Sequence, residues 1–117
     1  MLEKSFYNLK DNLIKLGLKD NDFSNLEKYL IKKEGEIIFP DVFLKRFNLD
    51  YETTKEILLF LSKEKVLSIM YRLKVDQYYW DYDILSDIPK EIEVNDKIIE
   101  DVLERVYILF KVKSNEW

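Results

Sequence analysis

The ionisable side chains of this 117-residue chain are carboxylates, lysines, arginines and tyrosines, because it contains no histidine and no cysteine. A thiolate nucleophile, an imidazole acid/base, a disulfide and a zinc site of the usual kind are therefore excluded. With glycine only at Gly17 and Gly35, neither a phosphate-cradling loop nor a dinucleotide fingerprint can be written. Asp81 and Asp83 flank Tyr82 and would share one face of a strand, as a hard-cation site requires. Two carboxylates in an acidic stretch read first as solvated, and no metal is assigned to them. Glu52 with Lys55, or Asp41 behind Pro40, supplies the acid and lysine of a nuclease-like site, but nothing orders them around one substrate point. The expectation is a non-enzymatic protein with no catalytic residue, metal or cofactor. Tyr78, Tyr79 and Trp80 could stack nucleobases, yet Asp76, Asp81 and Asp83 around them repel phosphate. Core packing or a protein interface suits that aromatic run better.

The elements that position these residues follow from periodicity. Leu2, Phe6, Leu9, Leu13 and Leu16 recur at heptad spacing and predict one helix over residues 2–16, ended by Gly17. This stripe has two readings: it packs on its own chain, or it forms a helix-mediated homodimer through Leu2, Phe6, Leu9 and Leu13. Ser24 and Glu27 have capping-box spacing and predict a second helix, with Leu26, Leu30 and Ile31 on its apolar face and Gly35 at its end. Glu36 to Phe39 reads as a short strand, and Pro40 opens a helix carrying Val42, Phe43 and Phe47. Asp50 is the expected N-cap of a helix over 51–63, whose core stripe is Thr54, Ile57, Leu58 and Leu61. A strand follows from Val66 to Val75. Beyond it, Glu91 to Val94 alternates like a half-buried strand, Asn95-Asp96 is a turn, residues 98–103 fit helix or strand, and Arg105 to Val112 is a strand.

Charge is unevenly placed. Residues 1–75 carry 14 basic and 12 acidic side chains, residues 76–104 two and ten, and residues 105–117 three and one. No stretch approaches the roughly 18 apolar residues of a membrane span, and MLEKSFYNLK lacks the apolar region of a secretory signal. A cytoplasmic location with no membrane partner is expected.

The order helix, short strand, helix, three-residue turn, helix, strand over residues 24–75, and the stretch Leu49 to Leu61 in particular, resembles the helix-turn-helix of bacterial winged-helix regulators. The fold class expected is α+β: a winged helix-turn-helix core (20–75), an extra N-terminal helix for packing or dimerisation (1–19) and a small acidic, aromatic-rich C-terminal β appendage (76–117). The resemblance implies a DNA-binding regulator, with the 51–63 helix in the major groove of double-stranded DNA and the 66–80 wing on the backbone or minor groove. Tyr51, Lys55, Lys63, Lys65, Arg72 and Lys74 would then contact DNA. Glu64 is the only acid between Leu61 and Val75, but Glu52 and Glu56 offset the lysines on the helix itself. The alternative is a winged helix serving as a protein-interaction adaptor, for example an accessory subunit of a bacterial defence or stress system, docking through Tyr79 and Trp80.

Asp87-Ile88-Pro89 and the aromatic-rich stretch Val106 to Val112 are similar to the zinc-ribbon-like element, with two CxxC pairs, that follows a winged helix in some bacterial proteins, including small components of phage-defence loci. Placed by spacing, its ligand pairs would fall near Val75 and Tyr78 and near Val94 and Lys97, none of which binds zinc. The similarity implies a mini-core of Val75, Tyr78, Trp80, Val94 and Tyr107 in place of the metal.

Overall fold

A computed structural model describes residues 4–113, and the chain is mixed α+β. It divides into two compact units, one running from the amino terminus to Ser68 and resuming at Phe110, the other spanning Ile69–Leu109. These limits fall elsewhere than the expected divisions at 19/20 and 75/76. The N-terminal helices belong to the first unit, and the last strand returns to it.

In the first unit the heptad stripe forms two short helices, α1 (Lys4–Tyr7) and α2 (Lys10–Leu16), not one. The break at Asn8-Leu9 is a tightened turn in which Leu9 N–H donates to the Phe6 carbonyl at 2.9 Å. It leaves both halves of the stripe facing inward: Phe6 and Leu13 are each 0% exposed. Phe6 stacks on Phe23 with ring centroids 5.2 Å apart. Full burial of a side chain of this size contributes about 1.5–3 kcal/mol. Gly17 ends α2 at φ 125°, and the next residue's N–H, on Leu18, bonds back to the Leu13 carbonyl at 3.0 Å.

Helix α3 (Phe23–Lys32) starts one residue before the predicted cap at Ser24. It is entered through a 3₁₀ turn at Asp20–Asp22, and its N-cap, Asp22, makes no side-chain hydrogen bond. Strand β1 is the pair Ile37–Ile38, and α4 (Pro40–Phe47) has Pro40 in its first turn. Proline suits that position because its missing N–H has no partner to lose there. Asn48 closes α4 in the left-handed conformation, φ 53°. Asp50 then caps α5 (Tyr51–Lys63), its Oδ1 accepting the Thr53 N–H at 2.7 Å. Thr54, Ile57, Leu58 and Leu61 are the buried face of α5, which packs on α2 and α4. Leu49, in the turn between α4 and α5, is half-buried.

Strand β2 (Leu67–Val75) begins in the first unit and continues into the second. There it forms a hairpin with β3 (Tyr78–Tyr82), in the register Val75–Tyr78, Leu73–Trp80 and Tyr71–Tyr82. The expected wing ended at Trp80; the strand runs on to Tyr82. β4 (Ile92–Val94) and β5 (Lys97–Ile99) make a separate hairpin across Asn95 and Asp96, both left-handed at φ 53° and 65°. That pair is what a two-residue turn matching the twist of the strands requires. Residues 98–103, open between helix and strand, divide into the end of β5 and the start of a 3₁₀ turn at Val102–Arg105. β6 (Val106–Val112) re-enters the first unit, where Ile38 pairs with Phe110 and Ile37 with Lys111. The main sheet has the order β1-β6-β2-β3.

The second unit has its own core of Leu73, Val75, Ile88, Val94 and Val102, with Tyr71, Tyr82, Ile92, Ile99 and Val106 packed against it. Val75 and Val94 were expected there. Tyr78, Trp80 and Tyr107 were expected too, but they are exposed. The mini-core is built from aliphatic side chains, with Tyr71 and Tyr82 at its margin. Among the described residues no helix is long and apolar enough to cross a membrane.

Candidate functional site

Position along α5 determines which of its side chains reach solvent, since the four buried ones fix one face of the helix. Tyr51, Glu52, Lys55, Glu56, Leu59 and Lys63 are exposed. Lys55 Nζ lies 3.6 Å from a Glu52 carboxylate oxygen and 6.0 Å from the Tyr51 ring centroid. The helix therefore presents an ion pair and two apolar side chains, with Lys63 at its far end. Lys65 follows in the turn, left-handed at φ 66° and exposed. On α4, Arg46 stands over the Tyr29 ring at 6.0 Å. Burial raises the Tyr29 hydroxyl pKa, Arg46 opposing it.

On the β2–β3 hairpin, register places Arg72 opposite Asp81. The guanidinium donates from Nε at 2.8 Å and from Nη2 at 3.0 Å, a two-pronged pair on one carboxylate. Its carbon lies 4.0 Å from the Tyr79 ring centroid, and Tyr107 adds a side-chain hydrogen bond. The Asp81 bond is the main reason the guanidinium pKa is raised, against the opposing effect of burial. Of the six expected DNA contacts, Arg72 is thus held by Asp81, Tyr79 and Tyr107, and Lys55 is paired with Glu52. Lys63, Lys65 and Lys74 project into solvent.

The expected protein-interface residues separate in the same way. Phe6 and Leu13 are buried in the first unit, Leu9 is half-buried, and Leu2 lies outside the described residues. Of this stripe, Phe6 and Leu13 are thus packed within their own chain. Tyr79 is 56% exposed and Trp80 38%, on opposite faces of β3. Tyr78 shares the Trp80 face, with ring centroids 6.5 Å apart. Exposed apolar side chains continue through the second unit at Ile84, Leu85, Ile98, Leu103 and Ile108. A groove of about 590 Å³ there is lined by Leu85, Ile88, Pro89, Glu100, Leu103 and Glu104. Sequence reasoning missed both the groove and the hold of Asp81 on Arg72. The second was within reach: once residues 76 and 77 are taken as the turn, counting back from Val75–Tyr78 sets Arg72 against Asp81.

Asp81, one half of the candidate carboxylate pair, is engaged by Arg72. Among the described residues, no three metal-ligating side chains gather at one point. No protein-family model, curated protein or solved structure matches the chain.

Proposed function

We propose that this chain is a non-enzymatic adaptor of winged helix-turn-helix type that docks a protein partner through its second unit, as an accessory subunit of a larger assembly would. The observation that carries this reading is β3, an outer strand whose Tyr78, Tyr79 and Trp80 all stand in solvent. Aromatic side chains are enriched at the energetic centres of protein interfaces, and an exposed group of them has a large gain from being covered. In the winged-helix reading, α3, α4 and α5 form the helical core with β1. The stretch from 76 to 105, which includes β3 and joins β2 to its sheet neighbour β6, supplies most of a second compact unit in place of a short wing. That stretch carries the acidic excess, which opposes contact with phosphate. A bacterial defence or stress system is the setting in which the sequence resemblance suggests such a subunit.

The test is affinity capture from native lysate beside a control carrying Tyr79→Ala and Trp80→Ala. A partner retained by the unaltered chain and lost by the control supports docking. Equal recovery, or none, refutes it.

A second reading, a DNA-binding regulator, is favoured by the solvent-facing surface of α5 behind a tight turn, with Lys63, Lys65 and Lys74 exposed. Its test is fluorescence anisotropy with random duplex at low salt. Binding lost on replacing Lys55, Lys63, Lys65, Arg72 and Lys74 would support it, and no binding at tens of micromolar would end it.

A further inference from the structure

β3 is hydrogen-bonded to β2 and is the last strand of its sheet. Its hairpin closes on the Val75–Tyr78 pair across a two-residue turn. In the alternation of an antiparallel ladder, Tyr78, Trp80 and Tyr82 then direct their backbone N–H and C=O groups toward β2. Tyr79 and Asp81 direct theirs away, along the outer edge. Those outward groups are the ones a further strand would bond. Side chains on that edge are accessible as well, since residues 78–81 are exposed.

Charge decides what such a strand would be. Residues 69–109 carry five basic and ten acidic side chains. Two basic side chains of β2 face β3: Arg72 is already bound to Asp81, and Lys74 stands exposed opposite Tyr79, outnumbered by Asp76, Asp81 and Asp83. Asp76 stands before the strand and Asp83 after it, both exposed. A second copy of this chain laid on the same edge would bring its own aspartates and acidic excess against these, which like-charge repulsion disfavours. Lysine or arginine at alternate positions of an incoming strand would instead bring positive charge toward Asp76 and Asp83. Their alkyl stems would lie along the Tyr78 and Trp80 rings, where aromatic faces attract cations.

We propose that the outer edge of β3 is a strand-addition site for an extended, basic segment of a partner protein. This rests on the docking reading above and specifies its chemistry: main-chain hydrogen bonds to Tyr79 and Asp81 supply affinity, and the acidic and aromatic surroundings select basic side chains.

The probe is a short blocked peptide alternating lysine with threonine, compared with its glutamate counterpart. Affinity for the full chain is read by anisotropy, and backbone protection by hydrogen exchange. The lysine peptide is expected to bind about tenfold or more tightly than the glutamate peptide, with a preference that shrinks as salt is added. Bound peptide should slow exchange at the amides of Tyr79 and Asp81. Tyr79→Ala and Tyr79→Pro remove the same side chain, but only proline removes the outward N–H, and it leaves the bonds to β2 in place. Tyr79→Pro should therefore weaken binding about tenfold beyond Tyr79→Ala.

Equal binding of the two peptides, or no protection at Tyr79 and Asp81, overturns the proposal; the exchange measurement uses the unaltered chain and does not depend on the proline variant folding. A doubled mass by light scattering that Tyr79→Pro restores to one chain would assign the edge to a second copy and also overturn it. Partner capture that fails with Tyr79→Ala and Trp80→Ala, yet is equal for Tyr79→Ala and Tyr79→Pro, would retain docking and remove strand addition.

Discussion

Single side chains in α5 show how one residue can carry a helix or cost it stability. Asp50 accepts the Thr53 N–H, and that bond, followed by one from the Thr53 side chain, lowers its carboxyl pKa from the ordinary 3.8. A carboxylate whose pKa is lower in the folded state stabilises that state fully above its unfolded value and ceases to do so as pH falls through the folded one. The melting temperature should therefore decline as the solution is acidified below the ordinary aspartate range. Asp50→Asn, which keeps the cap without the titration, should flatten part of that decline, whereas Asp50→Ala should lower the melting temperature at neutral pH. Thr54 presents the opposite case. It is 0% exposed, and its hydroxyl oxygen has no hydrogen-bond partner. Thr54→Val keeps the branched shape and removes a desolvated polar group, so chemical denaturation should show a gain of about 1 kcal/mol. Thr54 was legible in the sequence as a core position of the helix; its orphaned hydroxyl was not, because partners come from tertiary placement.

At the scale of elements, the fold was legible wherever burial imposed a period. All four predicted core positions of α5 are buried, since a helix with one covered face repeats every 3.6 residues. β3 escaped because its first four residues are exposed, so no alternation marks it. The break between α1 and α2 escaped for the converse reason: Phe6 and Leu13 face the same interior across it, and the heptad spacing survives the tightened turn. Gly17 is where this part of the chain is most constrained. Its φ of 125° is unfavourable to any side chain, and a Cβ there would lie 2.7 Å from Cγ2 of Thr53. Gly17→Ala should destabilise the protein by more than about 1 kcal/mol. Thr53→Ser, which removes Cγ2 but keeps the hydroxyl, should recover part of that loss when the two are combined. A double-mutant cycle by urea denaturation would separate the steric share from the backbone share, and a zero coupling term would refute the contact.

For the whole molecule, the abrupt change of charge after Val75 pointed to a separate appendage, and the structure divides the chain differently. A composition boundary records where side chains change character; the return of β6 to pair with β1 is a long-range contact that no local pattern encodes. The candidate docking surface was legible in part, through Tyr79 and Trp80, while the groove needed residues from 85 to 104 brought together. Because β2 and β6 are neighbours in the sheet, residues 76–105, β3 included, connect two adjacent strands. Strands paired in this way lie about 5 Å apart, a gap that a two-residue turn spans. A shortened chain in which such a turn joins the retained ends of β2 and β6 should keep the helical circular dichroism of α2 to α5 and lose the capture of a partner. Loss of the helical signal would show that the first unit needs the second in order to fold. The β2–β6 junction is thus a socket in the chain: a lineage carrying this helical unit could exchange one inserted stretch for another there without rebuilding the rest.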